Sequence, residues 1–292
     1  MVSRITGAAV ALVCAAAFCA CAGPDQPALP TASELPEPTV STVSASAPAR
    51  VSSSSVAPPE APLQSLLDDI VADITALYGG TIGIAVAGAN GVTMAGFDAP
   101  SPAWSTIKVP IAIAALRANP GLYADAQAAL TVSDNDAAAR LYDAAGPDAV
   151  NQVLAEMGVG AQVNTVLTRP GFSTFGQTML TTGQEAVMAG QLACVPGAGD
   201  VVALMRQVDA SQAYGLGTTG DAAYKGGWGP DEAGMYTTRQ FGLMPRSDGT
   251  VAAVAITALP ADGSYGAGQG MLNAAALALQ EQAGLLPQTA CS

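Results

Sequence analysis

Ser105 and Lys108 stand three apart in Ser105-Thr106-Ile107-Lys108, a spacing that stacks two side chains on one face of a helical turn. A hydroxyl beside an amine becomes a nucleophile and its base once the amine is uncharged. Burial against Ile107 and Ile111, helped by a second cation nearby, would lower the lysine pKa far enough for that. The Ser105 N–H, at the start of a helix, points toward any oxyanion formed there. Alone, Ser-x-x-Lys is a weak signal.

Two further segments strengthen it. Ser133-Asp134-Asn135 brings together a hydroxyl able to relay a proton, a carboxylate and a carboxamide able to hold a substrate amide. A plain helix N-cap explains Ser133 and Asp134 equally well, and Asp134 is structural on either reading. Tyr224-Lys225-Gly226-Gly227-Trp228 reads as an edge strand whose glycines let substrate backbone approach and pair. Arg239, on the next strand, is expected to add a cation for a substrate carboxylate. The protein has only two lysines and two tryptophans: Lys108 ends the first of these segments and Trp104 flanks it, while Lys225 and Trp228 fall in the third. Lysines serving only solubility would be more numerous and more scattered.

The elements that must hold these groups follow from periodicity. Leu63, Leu66, Leu67, Ile70, Val71, Ile74 and Leu77 repeat at helical spacing up to Gly79-Gly80. Residues 81–87 and 92–97 read as strands joined by an Asn90-Gly91 turn. Ile107 to Leu116 is too long an apolar run for a strand, so it reads as a buried helix. Further helices are predicted over 134–145 and 147–157, and another from a capping box at Thr182-Gly-Gln-Glu185 to about Leu192. Residues 159–177 form a loop. Strands at about 222–228, 235–244 and 250–258 precede a closing helix over 269–282. The economical packing is an α/β (α+β) sandwich: a five-stranded antiparallel sheet with the terminal helices on one face and an all-helical lobe on the other.

Composition excludes several functions. There is no histidine, which removes His-based triads and almost every zinc site. No metal or cofactor is therefore expected. Residues 63–292 carry 8 Lys or Arg against 19 Asp or Glu, so nucleic acid is not an expected partner. Residues 1–21 read as an export signal, too short in its apolar run to span a bilayer comfortably. Phe18-Cys19-Ala20-Cys21 resembles a lipoprotein box that would lipidate Cys21, while Ala20-Cys21-Ala22 also allows ordinary cleavage and free secretion. Residues 22–62 are rich in Pro, Ser and Ala and read as a tether. Residues 63–292 then form one domain, expected to be monomeric. Cys194 and Cys291 are its only cysteines, an even pair that suits a disulfide outside the cytoplasm.

Ser-x-x-Lys, Ser-Asp-Asn and Lys-x-Gly in this order form the signature set of the serine β-lactamases and penicillin-binding proteins. The sequence resembles that superfamily over about 63–285. It resembles the class A β-lactamases most, in Trp104-Ser-Thr-Ile-Lys-Val-Pro and Ala129-Leu-Thr-Val-Ser-Asp-Asn. The resemblance implies that Ser105 attacks an amide carbonyl with Lys108 as base, and that Ser133 passes the proton on. It implies an oxyanion hole from the N–H groups of Ser105 and Trp228, with Lys225 and Arg239 on the substrate carboxylate and Asn135 on its side-chain amide. The implied substrate is a β-lactam or a cell-wall stem peptide.

Three departures qualify this. Only 28 positions separate Ser105 from Ser133, which trims the helical lobe and opens the cleft. Gly226 stands where the family has Thr or Ser. Class A enzymes deacylate through a glutamate in the loop after the Ser-Asp-Asn helices, and here no Asp or Glu occurs between Glu156 and Glu185. Glu185 is accounted for by the capping box, and Glu232 is a remote substitute. Acylation without efficient turnover is the expectation, beside a true β-lactamase with a relocated base and a non-catalytic binding lipoprotein.

Overall fold

A computed structural model of the chain describes residues 60–289. The export signal, Cys21, nearly all of the tether and Cys291 lie outside the described residues. Helix α1 (Glu60–Tyr78) leads into strands β1 (Thr81–Gly88) and β2 (Gly91–Gly96). The helical side follows, with α2 (Lys108–Ala118), α3 (Tyr123–Thr131), α4 (Asn135–Ala145) and α5 (Pro147–Glu156). A two-residue pairing of β3 (Ser101–Pro102) with β4 (Met179–Leu180) ties the entry of α2 to the entry of α6 (Thr182–Gln191). After α7 (Gly199–Met205) the chain forms β5 (Ala223–Pro230), β6 (Tyr236–Pro245), β7 (Val251–Leu259) and α8 (Tyr265–Glu281).

The five long strands form one sheet in the order β2-β1-β7-β6-β5, antiparallel throughout. Strand parity sorts the two cores. Ile82, Ile84 and Val86 of β1, with Val254 and Ile256 of β7, face α1 and α8. Ala85 and Ala87, with Ala253 and Ala255, face the other helices. That alanine surface lets α6 lie close: a Cβ on Gly190 would sit 3.2 Å from the Ala87 methyl. The terminal helices thus share one face and the helical lobe the other, as the pattern predicts.

Differences are local. α3 and α7 are absent from the expected set, because their short alanine- and glycine-containing runs carry little periodicity. The capping box that opens α6 is one residue earlier than expected: the Thr181 hydroxyl accepts from Gln184 N–H, and the Gln184 side chain accepts from Thr181 N–H. Helix α1 starts at Glu60, inside the range read as tether.

Candidate active site

Ser105 sits in a 3₁₀ turn, Trp104–Ile107, that runs directly into α2. Residues three apart eclipse in such a turn, so Ser105 and Lys108 share a side. Trp104 holds the left-handed backbone conformation at φ +52°, and so does Ser133 at φ +60°. For residues other than glycine that conformation costs on the order of 1–2 kcal/mol. Ser133 is held there because Asp134 behind it is the N-cap of α4, its carboxylate accepting from Ala137 N–H at 2.8 Å.

Lys108 is 1% exposed. It donates to Ser133 O at 2.6 Å, Asn135 Oδ1 at 2.7 Å and Ser133 Oγ at 3.2 Å. Lys225, wholly buried on β5, reaches the same Ser133 Oγ at 3.0 Å and also donates to Gly226 O at 2.9 Å. Two amines therefore bracket one hydroxyl. While Lys108 carries its third proton, accepting from both occupies the two lone pairs of the hydroxyl and leaves its O–H free to donate. Burial lowers the Lys108 pKa to about 7, with the Asp134 charge opposing. Burial also holds Lys225 well below the ordinary lysine value, with the charge of Lys108 adding to the effect. At Lys108, desolvation rather than a neighbouring cation does the lowering.

One expected contact is missing. Among the described residues no hydrogen bond joins the Ser105 hydroxyl to Lys108, whose donors are committed to Ser133 and Asn135. An uncharged amine keeps two N–H groups, enough for the two short contacts, and its lone pair is then available.

β5 is an edge strand, and its main chain lies against the nucleophile turn. A Cβ on Gly227 would sit 2.5 Å from Ala103 O and 3.0 Å from Ser105 N, so only glycine allows this approach. A Cβ on Gly229 would meet the Trp104 ring at 2.7 Å. Trp228, between them, is stacked on Tyr265 at 5.4 Å and 27°. A Cβ on Gly226 would lie 3.3 Å from Tyr214 Oη, so the hydroxyl missing from this position is not simply replaced by open space.

Arg239 is not where it was expected. It pairs across the sheet with Gly227, and its side chain is 0% exposed. Its Nε donates to Glu185 Oε2 at 2.9 Å, and its other nitrogens donate to main-chain oxygens of Ser101, Pro102, Leu180 and Thr181. Glu185, also wholly buried, accepts from the Thr106 hydroxyl at 2.5 Å. Glu185 is thus the partner of Arg239 rather than part of a capping box, and neither faces substrate. The pair anchors Thr106, next to Ser105.

The cleft at Ser105 has a volume of about 390 Å³. Its wall includes Trp104, Ser133, Asn135 and Trp228, together with three residues that sequence reasoning missed: Phe172, Ser173 and Tyr236. Phe172 packs on Trp104 at 5.2 Å, and Arg169 lies over both rings while donating to Pro230 O and Asp231 O. This ties the 159–177 loop to the end of β5. The arginine and two aromatics in that segment were the available signal. Cys194 is disulfide-bonded. Among the described residues no group of three or more His, Cys, Asp or Glu side chains is placed to hold a metal.

No protein-family model matches the sequence, and no curated protein matches it. Solved structures do. A β-lactamase from Chitinophaga pinensis DSM 2588 aligns at TM-score 0.61 and 15% identity, covering 74% of this chain and 98% of its own. A class A β-lactamase from Mycobacterium abscessus gives 0.61 at 16% identity, covering 75% and 99%. A β-lactamase from Sphaerobacter thermophilus DSM 20745 gives 0.59 at 19%, covering 76% and 98%. The chain has the serine β-lactamase fold. Within this β-lactamase-like framework, no Asp or Glu is among the described residues lining the cleft. Glu156 pairs with Arg117 at 2.5 Å, Glu185 is sealed against Arg239, and Glu232 is exposed on the β5–β6 turn.

Proposed function

We propose that the chain is an exported serine acyl-transfer protein, tethered by a lipid on Cys21, that is acylated at Ser105 and released slowly. The observation that carries this reading is the placement of two buried amines on the Ser133 hydroxyl, in a cleft that Ser105 also lines and that no carboxylate lines among the described residues. Ser105 Oγ bonds to an amide carbonyl carbon while its proton passes to the uncharged Lys108. The N–H groups of Ser105 and Trp228 receive the oxyanion. As the C–N bond breaks, Ser133 hands a proton to the leaving nitrogen and is resupplied by the flanking amines. Asn135 holds a polar group of the acyl side. Hydrolysis of the ester needs a base to activate water, and losing such a base costs about two to four powers of ten in rate.

A binding module without turnover is the second reading, favoured by the absence of a Ser105–Lys108 hydrogen bond. Labelling with a fluorescent penicillin separates the two. The acyl-transfer reading predicts a covalent adduct that is lost in Ser105→Ala and outlasts hours of dilution. No adduct at millimolar probe supports the binding module. Rapid steady-state hydrolysis of a chromogenic cephalosporin would sink slow release.

A further inference from the structure

Every cation among the described residues already has a partner. Arg117, Arg140, Arg206 and Arg246 pair with carboxylates away from the cleft. Arg239 is sealed against Glu185, and Arg169 is held by two backbone carbonyls. Lys108 and Lys225 are buried and face Ser133. Beside the edge strand, Gly226 offers no hydroxyl, and Gln240, opposite it on β6, is wholly buried and bonded to Leu216 N–H and Tyr214 O. Neither lysine is among the residues lining the cleft, so a carboxylate entering here would lose its hydration and meet no charged side chain on the wall, which is costly.

The cleft instead presents rings. Phe172, Trp228 and Tyr236 are each half-buried, and all three line it. Phe172 is backed by Trp104. Trp228 and Tyr236 both rest on Tyr265, at 5.4 and 5.8 Å between ring centres. The polar side chains of the wall, Ser105, Ser133, Asn135 and Ser173, are all neutral. Walls of this kind gain from apolar and aromatic contact rather than from charge.

We infer that the acyl donor of this cleft is an uncharged amide or ester carrying an apolar ring, and that a carboxylate beside the scissile bond adds nothing to its recognition. This rests on acyl transfer to Ser105. In that step the donor carbonyl carbon bonds to Ser105 Oγ, the C–N or C–O bond breaks, and the Ser105 proton leaves with the amine or alcohol. Stem peptides ending in a free carboxylate are thereby disfavoured.

Benzylpenicillin and its methyl ester differ only in the carboxylate, so they test the inference. With the full-length protein, intact-mass spectrometry should show the ester acylating at least as fast as the acid. An acid that reacts faster overturns the inference while leaving acyl transfer standing. No adduct with either compound removes the acyl-transfer reading and this inference with it. Binding to Ser105→Ala gives an independent measure, because both tryptophans of the protein line the cleft and their emission reports on it. The ester should quench at concentrations no higher than the acid; tighter binding of the acid overturns the inference. Phe172→Ala should slow acylation by benzylpenicillin methyl ester about tenfold more than by the methyl ester of the penicillin with an acetyl side chain. Equal slowing overturns the role of the ring.

Discussion

Two buried cation settings flank the nucleophile turn, and they are built in opposite ways. On one side Arg239 and Glu185 neutralise each other at 2.9 Å, both at 0% exposure, with main-chain oxygens taking the remaining N–H groups. On the other, Lys108 and Lys225 are buried against hydroxyl, amide and carbonyl oxygens, with no carboxylate in hydrogen-bonding contact. Arginine stays charged in proteins, so a buried one needs a counter-ion; lysine can lose its proton instead. One setting keeps its charge and holds the turn in place. The other is arranged to shed charge, which is what a base requires.

The largest effect should come from removing the base. Lys108→Met keeps the volume but not the amine, and should slow acylation by two to four powers of ten, about the usual contribution of a general base. In the wild type, the acylation rate should rise with pH through about 7 as Lys108 loses its proton. That rise should vanish in Lys108→Met. A variant that keeps the wild-type rate and pH profile would break the contrast on the reactive side.

The structural side is tested by stability. Glu185→Leu leaves Arg239 buried without its counter-ion and should cost about 3–5 kcal/mol in chemical denaturation. Adding Arg239→Met should recover most of that loss, because the orphaned charge goes with it. Failure to recover would mean that the pair does more than neutralise itself.

Strand and helix periodicity made the sheet and its two helical layers readable without coordinates, and motif spacing with the scarcity of lysine and tryptophan did the same for the Ser105, Ser133 and Lys225 segments. The face on which Arg239 lies was not readable, because a one-residue change of parity sends a strand side chain to the opposite layer. The opening of α6 shows the same limit: Thr181-x-x-Gln184 and Thr182-x-x-Glu185 are both plausible boxes one residue apart. Choosing the wrong one hid the partner of Arg239. The aromatic wall was out of reach for another reason. Phe172 and Tyr236 are 64 positions apart in sequence and meet only through the fold.

The claim on which the mechanism depends is that burial brings both lysines flanking Ser133 well below the ordinary lysine pKa, so that Lys108 sheds its proton through about pH 7. Since the protein has only two lysines, NMR of lysine labelled with ¹³C at the ε position gives two signals to follow across pH. The Lys108 signal, assigned through Lys108→Met, should titrate near pH 7, and the Lys225 signal well below the usual lysine range. Two signals that both titrate near 10.5, the ordinary lysine value, would contradict the account.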